Sequence, residues 1–163
     1  MYPQRKRNRL LGFDYTQHQF YFITSNVKNH EPYFGEVIKG EMQLNANGEI
    51  VKQQWLWLAQ QYPFVRLHAF IIMPEHMHGI IEILPPAVPT SRDLSVQLEG
   101  KIKSLSELMG AFKTTSSKQI HLAGFSNFSW HRSFHDSILF DRSKISVVER
   151  YIRMNPANYK KSK

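Results

Sequence analysis

Apolar residues recur along the chain with two periods. Residues 19–27 (QFYFITSNV) are rich in aromatic and β-branched side chains and predict a strand, central in its sheet if both faces are covered. Residues 34–51 hold two short alternating runs around Lys39-Gly40 and a turn signal at Asn47-Gly48, which together read as a small hairpin excursion. Ile50, Gln54, Trp55 and Leu58, with Trp57 beside them, follow a helical stripe that predicts a helix over 47–61, ended by Pro63. Residues 65–73 and 78–84 are β-rich runs split by Pro74-Glu75, which fits adjacent strands or a bent strand pair, with antiparallel pairing expected because the connection is short. Residues 85–100 show no period and are rich in Pro and small polar residues, as a flexible loop is. Leu105, Leu108, Met109, Phe112 and Ile120 mark a helix over 104–121, with Ser104-x-x-Glu107 as its capping box. A strand over 130–140 and a last helix over 143–155, stopped by Pro156, complete the pattern.

Strand, helix, strand, strand, helix, strand, helix is the order of an α+β fold, a ferredoxin-like antiparallel sheet with helices packed on it and Tyr151 on the C-terminal helix. At 163 residues the chain is expected to be one domain, 1–163, with a basic arm over 1–17 and no internal repeat.

Composition then narrows the chemistry. The chain has no Cys, so disulfides, thiolate zinc sites and cysteine nucleophiles are excluded. No stretch approaches the roughly 20 apolar residues of a membrane span, and residues 1–11 are basic without an apolar run behind them. No membrane partner is therefore expected, and the expected compartment is the cytoplasm. The formal net charge of +8 is unevenly spread: +4 over residues 1–9, −4 over 10–100 and +8 over 101–163. Basic ends around a mildly acidic middle suit an anionic partner such as nucleic acid.

Two short motifs carry candidate chemistry. In Pro74-Glu75-His76-Met77-His78-Gly79 an extended backbone projects His76 and His78 from one face, with Met77 opposite, so two imidazoles converge as half of a metal site. The plainer reading is two polar residues at a strand edge. In Tyr151-Ile152-Arg153-Met154-Asn155-Pro156 a helix places Tyr151 and Asn155 one turn apart on a shared face. Near a cation the carboxamide of Asn155 offers an oxygen ligand and the phenol of Tyr151 a nucleophile; the alternative is a tyrosine packed on the sheet at a helix end.

These blocks, with Trp130-His131-Arg132-Ser133-Phe134-His135-Asp136, the N-terminal Gly12-Phe13-Asp14-Tyr15, the strand over 20–25 and the stretch from Phe34-Gly35-Glu36 to Gly48-Glu49-Ile50-Val51, resemble the REP-associated tyrosine transposase branch of the single-tyrosine, His-hydrophobic-His transposases (IS200-like). The likeness covers nearly the whole chain. It implies an endonuclease and strand transferase that acts on single-stranded or hairpin DNA. His76, His78 and Asn155 would hold Mg²⁺ or Mn²⁺, and Tyr151 would form a 5′-phosphotyrosine intermediate. Glu75 and Glu82 compete to orient a ligating imidazole through its other ring N–H. A homodimer is a possible arrangement in such relatives, and an enzyme of this kind is nucleoid-associated.

Arg5, Lys6, Arg7, Lys113, Lys118, Arg150, Arg153, Lys160 and Lys161 are the candidate DNA-binding cations, and Tyr2, Phe13, Tyr15, Trp130 and Tyr159 the candidate stacking platforms. The chain departs from the family at Met154, where Asn is frequent, and at His131, where Gln is common. His131 and His135 read as edge-strand histidines, the alternative being a place near the metal or against phosphate. Two alternatives stand beside this reading: a metal hydrolase using His76, His78 and His68 or His135, and a domesticated hairpin-DNA-binding protein without transposition.

Overall fold

The computed structural model describes residues 10–85 and 101–160. Four strands, β1 (Gln19–Asn26), β4 (Val65–Ile72), β5 (His76–Ile83) and β6 (His135–Leu139), form a sheet in the order β4-β5-β1-β6 with every neighbouring pair antiparallel. With helices α1 (Ala46–Gln61) and α2 (Leu105–Leu122) the succession β1-α1-β4-β5-α2-β6 is the expected ferredoxin-like α+β plan. A hairpin, β2 (Gly35–Ile38) and β3 (Glu41–Leu44), is inserted before α1, and α3 (Arg142–Met154) follows β6. Strands β1 and β5 lie inside the sheet, each paired on both edges.

Alternation along β1 and β5 divides the sheet into two faces. Tyr21, Ile23, Met77, Ile81 and Ile83 join the main core with Trp55 and Leu58 of α1 and Leu108, Met109 and Phe112 of α2. Phe20, Phe22 and Ile80 face the other way, where Ile145, Val148 and Ile152 of α3 cover them together with Leu139. His76, His78 and Glu82 have the parity of Ile80 and so lie on the α3 side. Among the described residues, the motif imidazoles thus lie on a face that α3 alone of the helices covers.

Local chemistry sets the element ends. Asn45 caps α1 by accepting from the Gly48 N–H, and Ser104 with Glu107 forms the expected capping box of α2. Lys39 and Gly40, at φ of 51° and 77°, make the two-residue turn of the β2–β3 hairpin. The turn expected at Asn47-Gly48 is absent: both residues belong to the first turn of α1, because the Asn45 cap starts the helix just before them. Glycine at 48 keeps the helix against the Phe34 carbonyl, which an added Cβ would approach to 2.3 Å. The strand expected over 130–140 is also shorter. Trp130 makes an isolated bridge to Val27, and β6 begins only at His135. Between them the carbonyls of His131 and Ser133 accept from the Lys113 ammonium at 2.8 and 3.1 Å, outside the sheet ladder.

Gly79 has a packing reason. It lies in β5 under the Trp55 indole, where an added Cβ would come within 2.7 Å of Cζ2. Trp55 is fully buried, so the ring has little room to retreat. Gly79→Ala is expected to destabilise the fold by about 1–3 kcal/mol through overpacking, read as a lower denaturation midpoint. An unchanged midpoint would mean that α1 is not held against β5 as described.

Of the basic arm expected over 1–17, residues 10–17 are described, and Phe13 and Tyr15 pack against the main core. Arg5, Lys6, Arg7, Lys161 and Tyr2 lie outside the described residues, as does the expected loop beyond Pro85.

Candidate active site

The site forms where the start of β5 meets the end of α3. His76 and His78 have ring centroids 4.7 Å apart, and the Tyr151 ring stands 5.4 Å from that of His78. Phe22 of β1 holds the two parts together, lying nearly parallel to His78 at 5.5 Å and edge-on to Tyr151 at 6.1 Å. Tyr151 is 52% exposed, so the face of the phenol away from the sheet is open. Both rings come from one chain.

Hydrogen bonds orient each imidazole. Thr24 Oγ1 and His78 Nδ1 are 2.8 Å apart, across the β1–β5 pairing that sets Thr24 opposite His78. Glu75 Oε1 and His76 Nδ1 are 3.0 Å apart. Among the described residues no hydrogen bond involves either Nε2 atom. His78 is buried, and burial, reinforced by the neighbouring His76, pulls its pKa down to about 3, so it is a neutral imidazole with a lone pair to offer.

Glu75 is a carboxylate. Burial opposes its ionisation, but hydrogen bonds from His76 and from the Tyr159 hydroxyl outweigh this and hold it below the usual range. Asn155 closes α3 with its backbone N–H on the Ile152 carbonyl, one turn beyond Tyr151 and on the same helix face. Among the described residues no group of three His, Asp or Glu side chains is arranged as a metal cage. A cation here would therefore combine the two imidazoles with other oxygen donors, of which Asn155 is one.

Glu82 does not reach the motif imidazoles. It lies four residues beyond His78 on β5, roughly 13 Å along the strand. Its carboxylate instead accepts from His18 at 3.1 Å and His68 at 2.8 Å, with Arg66 at 3.7 Å. That corrects its expected role, and it also commits His68, one of the alternative third ligands. His135 pairs with Thr24 and lies across β1 from His78, about 10 Å away by strand spacing. It is exposed at the sheet edge, and His131 is exposed beside it.

Of the described stacking candidates Trp130 is buried, and Phe13, Tyr15 and Tyr159 are partly buried. Trp130 packs among Phe34, Phe112 and Phe128, with its indole N–H on Ser116 Oγ at 2.9 Å. Tyr15 stacks on Tyr21 at 5.6 Å, with Phe13 edge-on. Tyr159 is bonded to Glu75. Lys118, Arg150, Arg153 and Lys160 are exposed, whereas the Lys113 ammonium is half-buried on its two carbonyls, and burial pulls its pKa down to about 8. Lys113→Ala is expected to cost about 1–3 kcal/mol of stability, since the carbonyls lose a charged donor. Urea unfolding alongside a DNA-binding titration checks this. A normal midpoint with weakened DNA binding would return Lys113 to the phosphate contacts.

Thr24 and Phe22 were not legible as site residues. Period-two alternation gives them a common face, but nothing in the sequence says that this face pairs with the histidine motif.

No family model matches the chain. An uncharacterised protein of Haemophilus influenzae Rd is 33% identical over 159 residues, which cover 93% of this chain and 88% of that protein. The structure of a REP-associated tyrosine transposase bound to a REP hairpin superposes with a TM-score of 0.62 at 19% identity, over 91% of this chain and 73% of that one. A Deinococcus radiodurans R1 protein provisionally described as a transposase superposes with a TM-score of 0.51 at 14% identity, over 89% of this chain and 95% of that one. The chain therefore belongs to one family with the Haemophilus influenzae protein and has the fold of the REP-associated tyrosine transposase.

Proposed function

We propose that the chain is a transposase-like DNA nicking and joining enzyme that cuts single-stranded DNA, in particular DNA flanking a hairpin, through Tyr151 with a divalent cation. The observation that carries this reading is the meeting of Tyr151 with His78, whose ring lies beside that of His76, on the sheet face that α3 covers. The hairpin-bound structural neighbour supports hairpin DNA as the substrate class.

The donor set fits a cation. Two imidazoles with ring centroids 4.7 Å apart and Nδ1 atoms engaged leave both Nε2 atoms for a cation, and Asn155 adds a carboxamide oxygen one turn past the phenol. Mg²⁺ or Mn²⁺ would be held there by His76, His78 and Asn155, and Mn²⁺ suits two imidazoles better. When bound, such an ion polarises the scissile phosphate and stabilises the leaving 3′-oxygen.

The chain's own residues do the rest. Phe22 and His78 fix the plane of the Tyr151 ring, so its oxygen is presented to phosphorus from the open side. The Tyr151 phenol gives up its proton to solvent as the Oη–P bond forms, the P–O3′ bond breaks, and the departing 3′-oxygen takes up a proton from solvent. A 5′-phosphotyrosine and a free 3′-hydroxyl result. The ester keeps the phosphodiester energy, so a later 3′-hydroxyl can attack it, release the phenol and restore a strand without a nucleotide cofactor. Lys118, Arg150, Arg153 and Lys160, with Arg5, Lys6, Arg7 and Lys161, supply phosphate contacts.

Among the described residues no helix is long and apolar enough to cross a membrane. The test is incubation with short single-stranded hairpins taken from the DNA flanking the gene, in Mg²⁺ or Mn²⁺, followed by denaturing electrophoresis. A covalent protein–DNA band that requires the cation is expected; its absence with every flanking hairpin would leave binding without cleavage as the function.

A further inference from the structure

Beyond α3 the chain folds back onto the site. Asn158 N–H donates to the Met154 carbonyl and Tyr159 N–H to the Pro156 carbonyl, at 3.2 and 3.3 Å. Pro156 is buried, and Ala157 lies against the β2–β3 turn, where a Cβ added at Gly40 would meet its Cα at 3.6 Å. This return brings the Tyr159 hydroxyl to Glu75 Oε2, to which it donates at 2.8 Å. The other oxygen of the same carboxylate faces His76 Nδ1 at 3.0 Å. Burial and the adjacent Glu75 push the Tyr159 hydroxyl up to about 12, so it stays a donor.

A carboxylate has only acceptor sites, so both partners must donate to Glu75. His76 then carries its proton on Nδ1 and leaves Nε2 as a bare lone pair, the form that binds a metal. Elsewhere α3 rests on the sheet through Ile145, Val148 and Ile152, apolar contacts that fix no direction. The Tyr159–Glu75 bond is a directional tie between the segment that follows the nucleophile helix and the histidine strand.

We propose that Tyr159 is a positioning residue: by holding the Glu75 carboxylate it keeps His76 in the tautomer whose Nε2 is open, and it ties that choice to the seating of the tail behind α3. The proposal rests on the cation reading above for its purpose, but the tautomer can be measured without a metal.

The experiment uses the full chain and its Tyr159→Phe, Glu75→Gln and doubly substituted forms. Ring ¹⁵N shifts of His76 are read in metal-free protein, and Mn²⁺ affinity by electron paramagnetic resonance of the free ion. Tyr159→Phe is expected to mix the His76 tautomers and weaken Mn²⁺ binding about 10-fold, the usual scale for such supporting partners, with a small fall in the unfolding midpoint from the lost hydrogen bond. The double variant should be no weaker than Glu75→Gln, because Tyr159 acts through that carboxylate. Wild-type tautomer and affinity in Tyr159→Phe, or losses that add in the double variant, overturn the role of Tyr159. A wild-type chain with one fixed tautomer and no Mn²⁺ uptake overturns the cation reading instead.

Discussion

Tyr151→Phe is expected to yield no covalent adduct and at least about 10³-fold less nicking of a hairpin substrate with a single-stranded flank, since it deletes the only atom that joins phosphorus. The ring remains, so the contacts with His78 and Phe22 should survive and the fold with them. Affinity for the same DNA should stay within about threefold, because phosphate contacts dominate it and none of them is removed. This split between lost chemistry and kept binding distinguishes a nucleophile from a packing residue. Full nicking by the variant would pass the attack to water and revive the metal hydrolase.

The second large effect is expected from His76→Ala combined with His78→Ala. Both Nε2 donors are lost, so cation-dependent cleavage should fall by at least about 10³-fold, while DNA binding and its salt dependence stay close to those of the parent. His78 is buried beside Phe22 and bonded to Thr24, so its removal leaves a cavity and an unpaired hydroxyl. A stability loss of about 1–3 kcal/mol is expected alongside. His76→Ala alone is the cleaner control, because His76 is only partly buried. Metal-independent nicking by the double variant would remove the imidazoles from the mechanism.

The two corrections to the expected site have one physical origin. Glu82 has the parity of the motif histidines, and alternation alone gives it a claim on them. Parity carries no distance, however, and the register places Glu82 with His18 and His68 at the far end of β5. Lys113 shows the same for charge: a lysine on an amphipathic helix reads as a surface cation, yet the loop over 131–133 turns two carbonyls onto it. Trp130 and Tyr15 read as candidate platforms although packing is the commoner role, and the fold buries Trp130 and packs Tyr15 against the core.

What the sequence determined is local and periodic. Aromatic and β-branched richness over 19–27 and 78–84 dictated strands, the capping box at Ser104 dictated where α2 begins, and the spacings of His76 with His78 and of Tyr151 with Asn155 dictated which side chains share a face. These follow from backbone geometry within a few residues and need no partner. The meeting of Tyr151 with His78, the bond from Thr24, the return of Tyr159 to Glu75 and the diversion of Glu82 join positions tens of residues apart. Only the register of β1 on β5 and the seating of α3 on one face decided them, because contacts between distant elements are selected by the packing of the whole core rather than by any segment of it.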